Sequence, residues 1–316
     1  MSVLPLLNDP QIGYVQAGLA IFLALTGTAL LLRCLNAVRG TTMIFPWIWA
    51  LTSLMLTTHL EIVSGVLDWD PESPTVVALR LAVSASTFCP AVALLGAKRP
   101  QDRVWQFAVF SLWVILAMPA AQSHFLGDPS YAGVQGFQSW FMLLILIVTL
   151  ANSILTRYGL SAALYFTAQW CLLSGRMPLW RIETGTVGRL IGLGLAVLAL
   201  GLVVAGIPRS RPAVGPLDRV WLDFRDWFGM FWALRLAERM NAISSKSGWG
   251  IQLGWNGFQM TPNVKNASSI SPEVAHSAHQ SFRALLRRFV SKQWMSQRIN
   301  DDGSAGHIDM ESARRE

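Results

Sequence analysis

Residues 14–32 read YVQAGLAIFLALTGTALLL, nineteen residues without a single Asp, Glu, Lys or Arg. A helix rises about 1.5 Å per residue and the hydrocarbon core of a bilayer is about 30 Å thick, so this stretch has the length and apolarity of one membrane span. Inside lipid the backbone finds no water to bond to, which makes a helix the form such a segment takes. The stretch has no basic leader and is too long for a cleaved signal peptide, so it reads as a retained helix.

The same signature recurs down the chain. Met43–Val66, Val76–Ala97, Val104–Ala121, Phe137–Leu155, Tyr158–Ser174 and Leu190–Ile207 are each apolar over a span's length. The sixth span, Tyr158–Ser174, is short and carries Tyr165 and Gln169. The predicted fold class is an all-α polytopic membrane protein with about seven transmembrane helices. Composition agrees: 53% of the 316 residues are hydrophobic and 14% charged, against roughly 25% charged in a soluble domain. That balance excludes one large water-soluble domain, and it excludes a disordered chain, which would be poor in large apolar residues. No internal repeat of 20–50 residues is visible.

Loop charges orient the bundle. Arg33 and Arg39 follow the first span, Lys98, Arg99 and Arg103 the third, Arg157 the fifth, and Arg209 and Arg211 the seventh. The opposite loops hold Asp68, Asp70 and Glu72, then His124 and Asp128. Lys and Arg accumulate on the cytoplasmic side, which predicts N-out, C-in and localisation to an integral, cytoplasmic-type membrane. One loop disagrees: Arg176, Arg181 and Arg189, against Glu183, are placed outside.

After the bundle (1–207) the chain changes character. The tail from Pro208 holds 15 Lys and Arg against 10 Asp and Glu, which is five of the chain's seven net positive charges. Its region 208–299 opens on the linker Pro208-Arg209-Ser210-Arg211-Pro212 and reads as three elements. Leu217, Val220, Trp221, Phe224, Phe228 and Phe231 repeat at helical steps, predicting an amphipathic helix over 217–243. Trp249, Ile251, Leu253 and Trp255 alternate, and Asn256-Gly257 before Phe258 predicts a hairpin over 249–260 turning on those two residues. Ser271-Pro272-Glu273 is a helix start, predicting a second amphipathic helix over 272–299. Residues 300–316 are polar and are expected to be disordered.

Ionisable residues at membrane depth are functional candidates by default, because burying them unpaired is costly. Glu61 and Arg80 fall at similar depth on neighbouring spans and are expected to pair. With His59, His124 and Gln169 they define a candidate outward-facing polar site. The competing reading is a structural ion pair locking two helices. His59 and His124 also suit a haem or metal, imidazole being a common ligand, but no third spaced ligand accompanies them. The cofactor therefore stays unknown. Cys34, Cys89 and Cys171 are far apart and form neither a disulfide framework nor a zinc spacing. Gly192, Ala199 and Gly206 make a small-residue stripe on the seventh span, suited to close packing within the bundle or to a homo-oligomer.

In the tail, Arg283, Arg287, Arg288 and Lys292 flank the apolar face Phe282, Leu285, Leu286 and Phe289. Such a helix suits an anionic inner leaflet or an acidic protein partner, with the lipid bilayer as the first partner of the whole chain. The alternative is that this apolar face packs on the hairpin. No nucleic-acid partner is expected, since no groove-reading motif occurs. No nucleotide-binding, esterase, metalloprotease or kinase signature occurs either. The function reading is a non-enzymatic sensor, scaffold or coupling protein. The alternatives are a small-solute transporter and a membrane enzyme or haem or metal protein using the outward-facing site.

Overall fold

The computed structural model describes residues 10–70, 73–126, 136–178, 185–209, 215–261 and 272–299. Helices dominate: α1 Pro10–Val38, α2 Ile44–Val66, α3 Pro74–Ser86, α4 Cys89–Leu95, α5 Asp102–Leu126, α6 Gly136–Ile154, α7 Gly159–Leu172 and α8 Gly185–Val204. After them come α9 Pro216–Ser247, the strands β1 Ile251–Gly254 and β2 Gly257–Met260, and α10 Pro272–Leu286. The tail from Asn300 and most of the linker after Arg209 lie outside the described residues.

Four helical stretches are long and apolar enough to cross a membrane: Gly13–Val38, Pro74–Leu95, Gly136–Ile154 and Gly185–Val204. Large apolar side chains stand exposed around the bundle, among them Phe22 and Leu25 on α1, Phe107 and Ile115 on α5, Leu144 and Ile147 on α6, and Ile191 on α8. Soluble monomers rarely expose contiguous apolar surface of this extent, so these faces suit lipid. The chain is a helical membrane protein in this sense.

The third predicted span is not one continuous helix. Pro90 has no N–H to give to Ser86, and its ring disfavours helical backbone ahead of it. The helix accordingly closes with Thr87 N–H and Phe88 N–H bonding to Ser84 O and Ala85 O, and restarts as α4. The predicted sixth span becomes α7, whose 14 residues reach only about 21 Å at the helical rise. On α8, a Cβ at Gly192 would lie 2.9 Å from Ala168 O of α7, so this part of the small-residue stripe is used within the chain.

Beyond α8 the chain forms a module with its own core. Trp221, Phe224, Phe228, Phe282 and Leu286 are each at most 1% exposed. The α9 element is longer than the predicted 217–243 and is not amphipathic over 221–226, where every residue is buried. The hairpin is present, with Gly254 paired to Gly257, so its two-residue turn is Trp255-Asn256 and not Asn256-Gly257. The turn thus falls one residue earlier than predicted, and Asp218 anchors the start of β2, its carboxylate accepting from Phe258 N–H at 2.8 Å.

The second tail helix is also corrected. It ends at Leu286 because Val290 leaves the helix to bridge Thr41, with Ser291 N–H donating to Gly40 O at 2.7 Å; residues 292–299 then form a separate short helix. The apolar face of α10 is therefore core: Phe258 and Phe282 meet edge-to-face at 5.3 Å.

Candidate functional site

The helix ends separate into two groups. At the module end, Gly40 and Thr42 after α1, Ala97 and Arg99 after α4, and Arg157 after α6 all bond to one another or to the module. The far end carries Gln16, Glu61 and Arg189, joined by hydrogen bonds.

At the far end Glu61 is held by Arg189, not by Arg80. The Arg189 Nε–H donates to Glu61 Oε1 at 2.8 Å, and Gln16 donates to the other oxygen at 2.9 Å. Arg80 is buried within electrostatic reach of both Arg189 and Glu61, and Arg176 donates to Val77 O at 2.8 Å. Arg176 lies in the turn after α7, where burial, then the Arg189 and Arg80 charges, lower it to about 10. His59 is exposed on α2, and His124 lies on α5 with its side chain outside the described residues. Gln169 belongs elsewhere. Its amide donates to Thr87 O at 2.9 Å, as does the Tyr165 hydroxyl at 2.8 Å, so both satisfy a carbonyl freed by the break between α3 and α4. Among the described residues no three His, Cys, Asp or Glu side chains come together as metal ligands.

Beside this break lies a cavity of about 310 Å³, walled by α1, α2, α7 and α8 and reached at its module end by Asp226 and Trp227 of α9. Its walls are mainly Leu, Val and Ala, with Ser53, Thr57 and Ser161 interspersed. Asp226 is an ion-pair partner of Arg225 at 2.8 Å and Arg157 at 3.6 Å, and it also accepts from the Arg157 backbone N–H.

Just after Trp227 the bundle grips the module. Gly229 interrupts α9 with φ 80° and ψ −179°, a conformation that is essentially restricted to glycine. The Asn152 side chain of α6 fills the interruption: its amide donates to Phe228 O at 3.5 Å and its oxygen accepts from Phe231 N–H at 3.0 Å. The space is closed to anything larger, because a Cβ on Gly229 would lie 2.2 Å from Asn152 Nδ2. One turn on, Trp232 donates to Leu94 O at the end of α4.

A basic groove opens on the same face. Lys98, Arg235, Arg239 and Arg288 line it, over a floor of Trp232, Leu236, Leu285 and Phe289. Lys98 is pushed below its ordinary value, first by burial and then by the Arg239, Arg288 and Arg235 charges. Of the four tail cations singled out from sequence, Arg288 is in this groove; Arg287 and Lys292 are exposed and Arg283 is half-buried. Arg235 and Arg239 are not distinguishable from sequence as site residues, because nothing in their spacing links them to Lys98.

Comparison with protein families, with curated proteins and with solved structures finds no match, so nothing about function comes to this chain by resemblance.

Proposed function

We propose that this chain is a seven-span, non-enzymatic membrane protein that couples the state of its helical bundle to a basic module on the cytoplasmic face. The observation that carries this reading is the Asn152–Gly229 junction. A polar side chain of the bundle substitutes for the broken backbone ladder of α9, so a shift of α6 relative to its neighbours alters the geometry of the module's central helix. Coupling requires such a shared element, biased from both sides.

The orientation N-out, C-in is supported by the module's attachment to the basic loop ends, Arg39, Lys98, Arg99 and Arg157. Two of the three discordant arginines of the opposite end have partners within the bundle: Arg189 pairs with Glu61 and Arg176 donates to a backbone carbonyl, while Arg181 lies outside the described residues. Among the described residues no carboxylate lines the groove of Lys98, Arg235, Arg239 and Arg288, which suits the phosphates of an anionic inner leaflet at about 1 kcal/mol for each cation near the surface.

Reporter fusions after residues 40, 72, 100, 128 and 212 test the topology and are expected to read inside, outside, inside, outside, inside. Hydrogen exchange on the full chain tests the coupling. Asn152→Ala is expected to raise exchange in 226–236 while leaving the hairpin protected. Unchanged exchange there would remove the junction from the account.

A further inference from the structure

We infer that the cavity between α1, α2, α7 and α8 binds a single-chain aliphatic molecule ended by one uncharged hydrogen-bonding group. Size sets the scale. Ligand pockets begin at roughly 300 Å³, and at the ~30 Å³ that a water-sized group occupies in a liquid the 310 Å³ here holds about ten non-hydrogen atoms. The walls favour hydrocarbon: Leu54, Leu193, Val197, Leu200 and Val203 face it, with Ala196 leaving the room.

The polar groups then select the end of the molecule. Most hydroxyls in the lining are already committed to helix carbonyls: Ser53 to Ala50 O, Thr57 to Ser53 O, Thr87 to Ser84 O and Tyr165 to Thr87 O. Ser161 is the buried lining hydroxyl left without one. It is 5% exposed, lines the cavity, and its Oγ has no hydrogen-bond partner among the described residues. A buried polar group left unpaired costs about 1–3 kcal/mol, so the site is built to receive a partner there. Water serves Ser161 but not the rest, because an ordered water needs two to four polar partners and these walls are apolar. A charged end is disfavoured. Asp226, the one carboxylate in the lining, is already engaged by Arg225 and Arg157, and among the described residues no Lys or Arg lines the cavity to hold an anion.

Occupancy would reach the module directly, since Trp227 and Asp226 close the cavity two and three residues before Gly229. In this last step the inference rests on the coupling reading, and the ligand site itself does not.

The test uses the full chain in lipid nanodiscs and decanol carrying a diazirine. Photolysis is expected to label cavity residues on α7 and α8 saturably, with unlabelled decanol competing and decane competing about fivefold less well, the loss of one net hydrogen bond. Ser161→Ala should abolish that preference for decanol over decane, and Ala196→Phe should reduce labelling at least tenfold by filling the space. Non-saturable labelling, labelling confined to the lipid-facing sides of α5 and α6, or labelling unaffected by Ala196→Phe would overturn the site. A phosphatidylcholine with the diazirine in its acyl chain distinguishes the sources. If it labels the same residues, the occupant is a bilayer lipid tail; if it does not, a free amphiphile. Hydrogen exchange of 226–236 with and without decanol is read in parallel. Saturable labelling without a change in exchange keeps the site and removes the coupling, whereas a change on Asn152→Ala without labelling does the reverse.

Discussion

The bundle and the module are held together by different physics. The module core is aromatic and continuous: Phe224, Phe228, Trp232 and Phe289 stack or meet edge-to-face within 4.7–5.5 Å. Water drives that burial, and large side chains give the most of it. In the bundle the surrounding lipid is as apolar as leucine, so association rests on close approach and on polar contacts between helices. The structure has these contacts at Glu61–Arg189, at Gln169–Thr87 and at Trp113 Nε1–Ala82 O, with Gly192 allowing α7 and α8 to touch. Asn152 stands at the border and uses the bundle's kind of contact on the module's helix. The difference teaches where information can pass between the two regions: through a directional hydrogen bond, which a repacked greasy surface would not transmit as specifically.

The module should respond most to truncation. Phe282 is fully buried, so Phe282→Ala is expected to cost about 3–5 kcal/mol and to lower the module's unfolding midpoint while the bundle's helical signal persists. An unchanged midpoint would mean that α10 is not part of this core. The bundle should respond instead to lost charge balance. Glu61→Gln strands a buried guanidinium and is expected to cost about 3 kcal/mol or more, and Glu61→Gln with Arg189→Gln should cost less than the two single changes added. A thermal double-mutant cycle without coupling would dissolve the pair.

At the border, Gly229→Ala forces an ordinary residue into a glycine-only conformation and against Asn152. About 1–3 kcal/mol of strain is expected, seen as faster proteolysis of α9 in the full chain. The smallest effect concerns the groove. Arg235→Ala with Arg239→Ala should lower retention of anionic lipid by roughly tenfold or more, at about 1 kcal/mol for each cation, as read by native mass spectrometry. Equal retention would place the lipid contact elsewhere.

The first, third, fifth and seventh predicted spans correspond to the four long apolar stretches of the structure, because hydropathy is a property summed over about twenty residues, and a single polar side chain does not erase it. The sequence carried the start of α10 and the alternation of the hairpin for the same local reason. What it hid was non-local. Arg189 is 128 residues from Glu61, whereas Arg80 is the nearer charge along the chain and at the same depth, so proximity in sequence pointed to the wrong partner. Gln169 looked like a member of the outward site until the break at Pro90 supplied a carbonyl for it. Pro90 was visible, but a proline within an apolar run does not say whether the helix bends or ends. Arg235 and Arg239 became a site only when Lys98 and Arg288 arrived from two other elements.

The most direct test of the central claim asks whether a change made in the module is felt in the bundle cavity, since a shared element biased from both sides must respond to either. Ser161→Cys places a thiol in the bundle cavity, and its reaction with a small thiol reagent is timed in the full chain, with and without Trp232→Ala in the module. Trp232 does not line that cavity, so a local effect is excluded. Coupling through α9 predicts that loosening the module changes the reaction rate at position 161 several-fold. Identical rates in the two backgrounds would contradict it.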